Sequence, residues 1–134
     1  MKPTRFMAPL TGTFLLLGLC GLAQAADDGY SPAYARCMSA SGGVTADMLD
    51  CLGTELHVQD GRLNKGYKAA MALMEGGKKG QLQDVQRLWL KYRDAKCGFL
   101  IDLTGGTVDG LNQSSCALEM TKTRAEELES LAQP

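Results

Sequence analysis

Apolar positions recur at helical spacing along most of this chain. Tyr34, Ala35 and Met38 mark a short first helix, with Ser31 as N-cap and Pro32 at the first helical position. Ser41-Gly42-Gly43 stops it. Met48, Leu52, Leu56, Leu63, Tyr67, Ala70 and Met74 predict a long second helix, capped by Thr45 and running to about Glu75. Asp47 in its first turn suits the helix dipole. Gly53, Gly61 and Gly66 each weaken it by about 1 kcal/mol relative to Ala, so a bend or break near Gly61 is expected. Close helix–helix approach is the alternative use of those glycines.

Gly76-Gly77-Lys78-Lys79-Gly80 reads as a stop and turn. A third helix runs from about Gln81 to Cys97 or a little beyond. Leu82, Val85, Trp89 and Tyr92 predict its buried stripe. Arg93 and Asp94 interleave with that stripe, so their polar atoms need partners at the core edge. Phe99 to Leu103 is an ambiguous apolar run, read here as a continuation of the helix. Thr104-Gly105-Gly106-Thr107-Val108-Asp109-Gly110 is a loop, and Ser114 or Ser115 caps the last helix. Leu118, Leu128 and Leu131 form that helix's apolar stripe, with Met120 at its edge and Glu126, Glu127 and Glu129 on a solvated face. Nothing after the N-terminal segment alternates with period two. The pattern predicts an all-α fold, a small helical hairpin or bundle.

The first residues are an address. Lys2 and Arg5 precede a short apolar run, Phe14 to Leu22, and Ala23-Gln24-Ala25 is a small-residue cleavage site. Residues 1–25 therefore read as a signal peptide, and 26–134 as one mature domain that is periplasmic or secreted. The run is too short for a membrane span, so stable membrane insertion is not expected. Cys20 lies near the depth of a lipidated cysteine, but Leu19 stands where Gly or Ala is usual, which favours plain secretion. Ala26 to Tyr30 reads as a loose leader.

The formal net charge is −1, and loss of Lys2 and Arg5 makes the mature chain more acidic. Such a balance argues against nucleic acid and anionic membranes as partners and tolerates a cationic one. Of five cysteines, Cys20 leaves with the signal; Cys37, Cys51, Cys97 and Cys116 remain. An even number in an exported chain reads as two disulfides with three possible connectivities. Local pairing, Cys37–Cys51 and Cys97–Cys116, is favoured over crossed or nested pairing, because each bridge then joins adjacent helices through one turn. Each closed loop stabilises by about 3 kcal/mol in the chain-entropy model.

The chemistry of an enzyme is not visible. His57 is the one histidine, so no His-based metal cluster exists. There is no Gly-x-Ser-x-Gly elbow, no Cys-x-x-Cys pair, and no Gly-Lys-Ser/Thr ending to the Gly76–Gly80 segment. Glu55 and Asp60 do not share a helix face well. Neither an activity, a cofactor nor a metal is expected.

Many uncommon residues fall in a recognisable order. They are Cys37, Thr45-Ala46-Asp47-Met48, Cys51, Glu55, Asp60, Leu63-Asn64 and Tyr67. They continue as Leu82, Gln86-Arg87, Trp89, Tyr92-Arg93-Asp94 and Cys97. They end as Gly105-Gly106-Thr107, Cys116, Thr121, Arg124 and Leu128. Together they resemble the LprI-type lysozyme-inhibitor family over nearly the whole mature chain. The resemblance implies an exported, disulfide-bonded helical domain, and lysozyme inhibition is attributed to some members.

Two loops are candidate partner-binding sites. Thr104, Gly105, Gly106 and Thr107 offer hydroxyls and backbone N–H groups on a disulfide-held base, and bracing lowers the ordering cost of binding. Lys78 and Lys79 offer charge to the carboxylate pair of a lysozyme cleft. Glu55, Asn64, Tyr67, Gln86, Arg93, Asp94 and Arg124 are expected to form a structural polar network that fixes helix register. An arginine near Cys97–Cys116 is expected to hold the glycine loop by its carbonyls. The function that follows is an exported envelope binding protein whose partner is a lysozyme or another envelope protein. The alternative is a non-inhibitory periplasmic protein that binds a small ligand or protein between its helices.

Overall fold

In the computed structural model, which describes residues 28–133, α1 spans Pro32–Ala40, α2 Thr45–Leu73, α3 Lys78–Gly98 and α4 Val108–Leu131. No strand occurs among the described residues. The expected all-α class is what the chain adopts. The signal segment, Cys20, the cleavage site and Ala26 lie outside the described residues.

Both disulfides pair locally, Cys37 with Cys51 and Cys97 with Cys116. The first staples α1 to α2, the second the end of α3 to α4. Ser31 caps α1 as expected, its hydroxyl accepting the Tyr34 N–H at 3.2 Å, with Pro32 following. The start of α2 is one residue off the expectation. Val44 takes the cap position because its N–H closes a turn on Ser41, and Thr45 is already helical.

α2 does not break at Gly61. Its buried line, from Cys51 through Leu52, Glu55, Gln59, Leu63 and Gly66 to Ala70, gives it support at every turn, and packing outweighs propensity. Only Gly66 serves close approach: a Cβ there would lie 3.2 Å from the Glu129 backbone nitrogen and 3.3 Å from the Leu128 Cβ. Gly53 and Gly61 meet nothing. Gly53→Ala and Gly61→Ala are each expected to stabilise by about 0.5–1 kcal/mol, whereas Gly66→Ala gains nothing because α4 must shift. Urea unfolding curves of the three variants check this; equal gains at all three would mean that α2 and α4 are not in contact at Gly66.

The starts of α3 and α4 and the Phe99–Leu103 run differ from the sequence pattern. α3 starts at Lys78, three residues early. It ends at Gly98, so Phe99–Leu103 does not extend it. Leu100 and Ile101 close i→i−3 turns on Cys97 and Gly98, and Asp102 takes a positive φ of 58° that terminates the run. α4 starts at Val108, with Thr107 in the cap position, so Ser114 and Ser115 are interior residues and not caps. The leader is not loose over residues 28–30. The Gly29 carbonyl accepts from Gln59 Nε2 at 2.9 Å and Arg62 Nη1 at 2.8 Å, and Lys122 sits over the Tyr30 ring.

α3 runs antiparallel to α4, as the contacts Cys97–Cys116, Arg93–Thr121 and Gln86–Arg124 show. The most extensive interface is between α2 and α4; α1 leans on α2, and α3 on α4. Leu63, Ala70, Leu82, Ala125 and Leu128 form the core, with Tyr67, Met71, Met74 and Trp89 packed against it. Leu131 is exposed, contrary to the expected stripe.

The largest correction concerns α3. Its buried line is Leu82, Gln86 and Cys97, with Trp89 and Arg93 half-buried, while Val85 and Tyr92 are exposed. The disulfide at Cys97 and the Gln86–Arg124 contact set the rotation of the helix, so one of its two apolar faces points outward.

Candidate functional site

The loop between α3 and α4 rises from the Cys97–Cys116 disulfide. It is held from inside by Asp109, in the first turn of α4 and nearly fully buried. The Asp109 carboxylate accepts the N–H groups of Thr104 and Gly105 at 2.9 Å each and the Thr104 hydroxyl at 2.8 Å. Gly106 N–H donates to Thr104 Oγ1 at 3.3 Å. The Thr104 N–H above all, helped by the Thr104 hydroxyl and the N–H groups of Gly105 and Gly106, holds the Asp109 carboxyl below the usual aspartate range, against the opposing effect of burial. The clamp is therefore complete above that range and is released as the pH falls through the lowered value.

This arrangement corrects two expectations. Among the described residues no arginine holds the loop by its carbonyls; a carboxylate holds it by its N–H groups. The hydroxyl of Thr104 and the N–H groups of Thr104 and Gly105 are turned inward, not presented to a partner. The loop's outward surface is mixed, with apolar side chains beside the exposed Asp102. Phe99, Ile101, Leu103 and Val108 are all exposed, and Thr104 to Thr107 are exposed between them. Asp109 was absent from the sequence candidates. An acceptor placed just after a Gly-Gly turn, able to bond back to the turn's N–H groups, was the available signal.

Lys78 and Lys79 are not on a loop. They occupy the first turn of α3, and Lys78 Nζ donates to Gln81 Oε1 at 3.0 Å. The length of α3 puts them about 30 Å from the glycine loop, so the two candidate sites do not combine.

The expected polar network divides into separate clusters. Glu55 is buried and accepts from Ser31 N at 2.9 Å, Ser31 Oγ at 2.5 Å and Gln59 Nε2 at 2.6 Å. Gln59 Oε1 accepts from Arg62 at 2.9 Å, and Arg62 forks onto Glu129 at 3.1 and 2.8 Å, which ties the leader and α2 to α4. Burial, then Glu55, raises the Tyr34 phenol beside this cluster. A second cluster joins Arg124 to Gln86 at 3.0 Å and to Glu127 at 2.7 Å. In a third, Arg93 bonds Asp94 and Thr121. Arg93 and Arg124 both lie over the Trp89 ring, at 5.3 and 5.9 Å. Asn64 reaches only Asp60, and Tyr67 packs against the core. Gln59, Arg62 and Glu129 are members that the sequence did not single out.

Two open grooves flank α3. One of about 450 Å³ lies between α2 and α3, lined by residues including Asn64, Tyr67, Gln86 and Arg87. One of about 580 Å³ lies between α3 and α4, lined by residues including Trp89, Tyr92, Lys96, Leu100 and Met120. Among the described residues no group of three or more His, Cys, Asp or Glu side chains is placed to hold a metal ion. Nor is any helix among them long and apolar enough to cross a membrane.

The chain is similar to an uncharacterized protein of Rhizobium meliloti (strain 1021), 30% identical over 101 residues that cover 63% of this chain and 71% of the relative. No solved structure matches. The family described as lysozyme inhibitor LprI matches residues 37–128, the stretch that contains both disulfides, Glu55, Gln86, Arg93, Arg124 and the braced loop, and the chain belongs to that family.

Proposed function

We propose that this protein is an exported lysozyme inhibitor that seats the loop Phe99–Thr107 in its target's cleft. The observation that carries the reading is the loop itself. It exposes Phe99, Ile101 and Leu103 beside Asp102, and it is fixed at its base by Cys97–Cys116 and within by Asp109. Two independent braces remove most of the entropy that binding would otherwise cost. Exposed apolar residues grouped on such a support are an interaction surface by default. Family membership supports a lysozyme as the target. The inhibitor acts by occlusion and performs no reaction. Two disulfides and the N-terminal address support an oxidising compartment outside the cytoplasm.

The test is cell-wall lysis by a panel of lysozymes with increasing inhibitor. Ile101→Ser/Leu103→Ser is expected to weaken inhibition about tenfold or more, since both side chains are exposed and the fold does not depend on them. Lys78→Ala/Lys79→Ala is expected to leave it unchanged. Inhibition through the loop's apolar side chains should vary little with salt, because screening acts on exposed charges over about 8–10 Å. Loss on the lysine variant, with strong salt dependence, would move the site to the start of α3. A folded, oxidised protein that leaves every lysozyme class at full activity would remove the inhibitor reading. The groove beside Trp89 favours the second one, a small-ligand protein.

A further inference from the structure

The overall acidic charge hides an uneven distribution. α3 carries Lys78, Lys79, Arg87, Lys91, Arg93 and Lys96 against only Asp84 and Asp94. Both of those carboxylates are neutralised within the helix, Asp84 by Arg87 and Asp94 by Arg93. Among the described residues no carboxylate pairs with Lys78, Lys79, Lys91 or Lys96. α3 is therefore a cationic element on an anionic protein. On α4, by contrast, Glu126 and Glu127 are paired within their own helix and Glu129 is paired with Arg62 of α2.

The outward face of the same helix is apolar. Val85, Leu88, Tyr92 and Phe99 follow one another at spacings of 3, 4 and 7 and share one side. They are 48%, 66%, 59% and 70% exposed. Trp89 sits at the edge of this row, half-buried. Lys96 falls on the row and Lys91 flanks it. An exposed row of Val, Leu, Tyr and Phe that carries one unpaired lysine and is flanked by another is the pattern of a helix that lies in a lipid interface, apolar side down. Tyr and Trp suit the headgroup level, and lysine stems let their charges reach lipid phosphates.

We propose that α3 docks this protein on anionic phospholipid surfaces, with Val85, Leu88, Tyr92 and Phe99 entering the interface and Lys91 and Lys96 meeting the phosphates. Charge complementarity selects the occupant. A neutral surface would leave four lysines unanswered, and a second copy of α3 in parallel would set like charges against each other. The binding is peripheral, since no described helix can span. It shares Phe99 with the loop of the proposed inhibitor site but does not use Ile101 or Leu103, which follow the end of the helix.

The experiment is co-sedimentation of the mature, oxidised protein with phosphatidylglycerol/phosphatidylcholine vesicles and with pure phosphatidylcholine vesicles. Sedimentation with the anionic vesicles alone, lost at high salt, is expected. Trp89 is the single tryptophan, so its emission should shift to the blue on binding. Lys91→Gln/Lys96→Gln is expected to lower partitioning about twentyfold. Leu88→Ser/Tyr92→Ser should lower it about tenfold. Lys65→Gln/Lys68→Gln on the exposed side of α2 should change it little. All variants should keep the wild-type helical signal and melting temperature, because the replaced side chains are exposed. No sedimentation with anionic vesicles would overturn the proposal. So would sedimentation without a change at Trp89, which would mean that another face binds. Concentration-dependent dimerisation that Leu88→Ser abolishes, with no lipid binding, would assign the face to a second copy instead.

Discussion

Replacing Glu55 by alanine is expected to destabilise the protein by about 3–4 kcal/mol, a large share of the stability of a domain this small. Glu55 is 1% exposed and lies on the buried line of α2. Its carboxylate answers three donors: the Ser31 N–H, the Ser31 hydroxyl and Gln59 Nε2. Removing it leaves the Ser31 N–H without its acceptor, opens a cavity on the buried line of α2 and loosens the N-cap of α1. Hydrogen bonds to a charged acceptor contribute about 1.5–3 kcal/mol each, and they are not additive here because Gln59 keeps its bond to the Gly29 carbonyl. Glu55→Gln is the informative companion. It keeps the volume but presents an amide donor to a site of donors, so about half the loss is expected. Urea unfolding measures both. A loss below about 1 kcal/mol for the alanine variant would mean that Ser31 and the leader fray from α2 without consequence.

The fold class and both disulfides were legible in the sequence because each rests on a local signal. Ser31-Pro32 specifies one helix start, and short loops favour neighbouring cysteines. The boundaries that moved were set by contacts the sequence does not display. Thr107 and not Ser114 begins α4 because Asp109 bonds back to the turn before it. α2 survives Gly61 because its other face is continuously packed. α3 was the hardest element, since it has two apolar faces about a quarter-turn or more apart. Periodicity finds both and cannot say which one is buried. Leu82 belongs to the inner face; Val85 and Tyr92, which continue the same count, belong to the outer. The choice is made by Gln86 and Cys97, which bond to α4, and a glutamine is not counted in a hydrophobic pattern. The disulfide at the base of the glycine loop was legible from the cysteine spacing. The loop's chemistry differs in part, because Asp109 takes the Thr104 hydroxyl and the Thr104 and Gly105 N–H groups that the sequence offers to a partner.

Removing the Cys97–Cys116 disulfide as Cys97→Ala/Cys116→Ala is expected to lower stability by about 3 kcal/mol and to weaken the proposed lysozyme inhibition at least tenfold. Alanine is the right replacement because Cys97 is buried and a serine hydroxyl there would lack a partner. The comparison that gives the result meaning is Cys37→Ala/Cys51→Ala. Its bridge closes a loop of similar length, with a sequence separation of 14 against 19, so its chain-entropy contribution is about the same. It staples α1 to α2 and closes no part of the loop. Both variants should therefore melt earlier by similar amounts, but only the first should lose inhibition when assayed well below either melting temperature. The reason is that Asp109 alone then holds residues 99–107, and a target must order the base of the loop as it binds. Equal loss of inhibition in both variants would make stability, not loop bracing, the controlling property. Full inhibition by the Cys97→Ala/Cys116→Ala protein would show that the Asp109 clamp suffices without the disulfide.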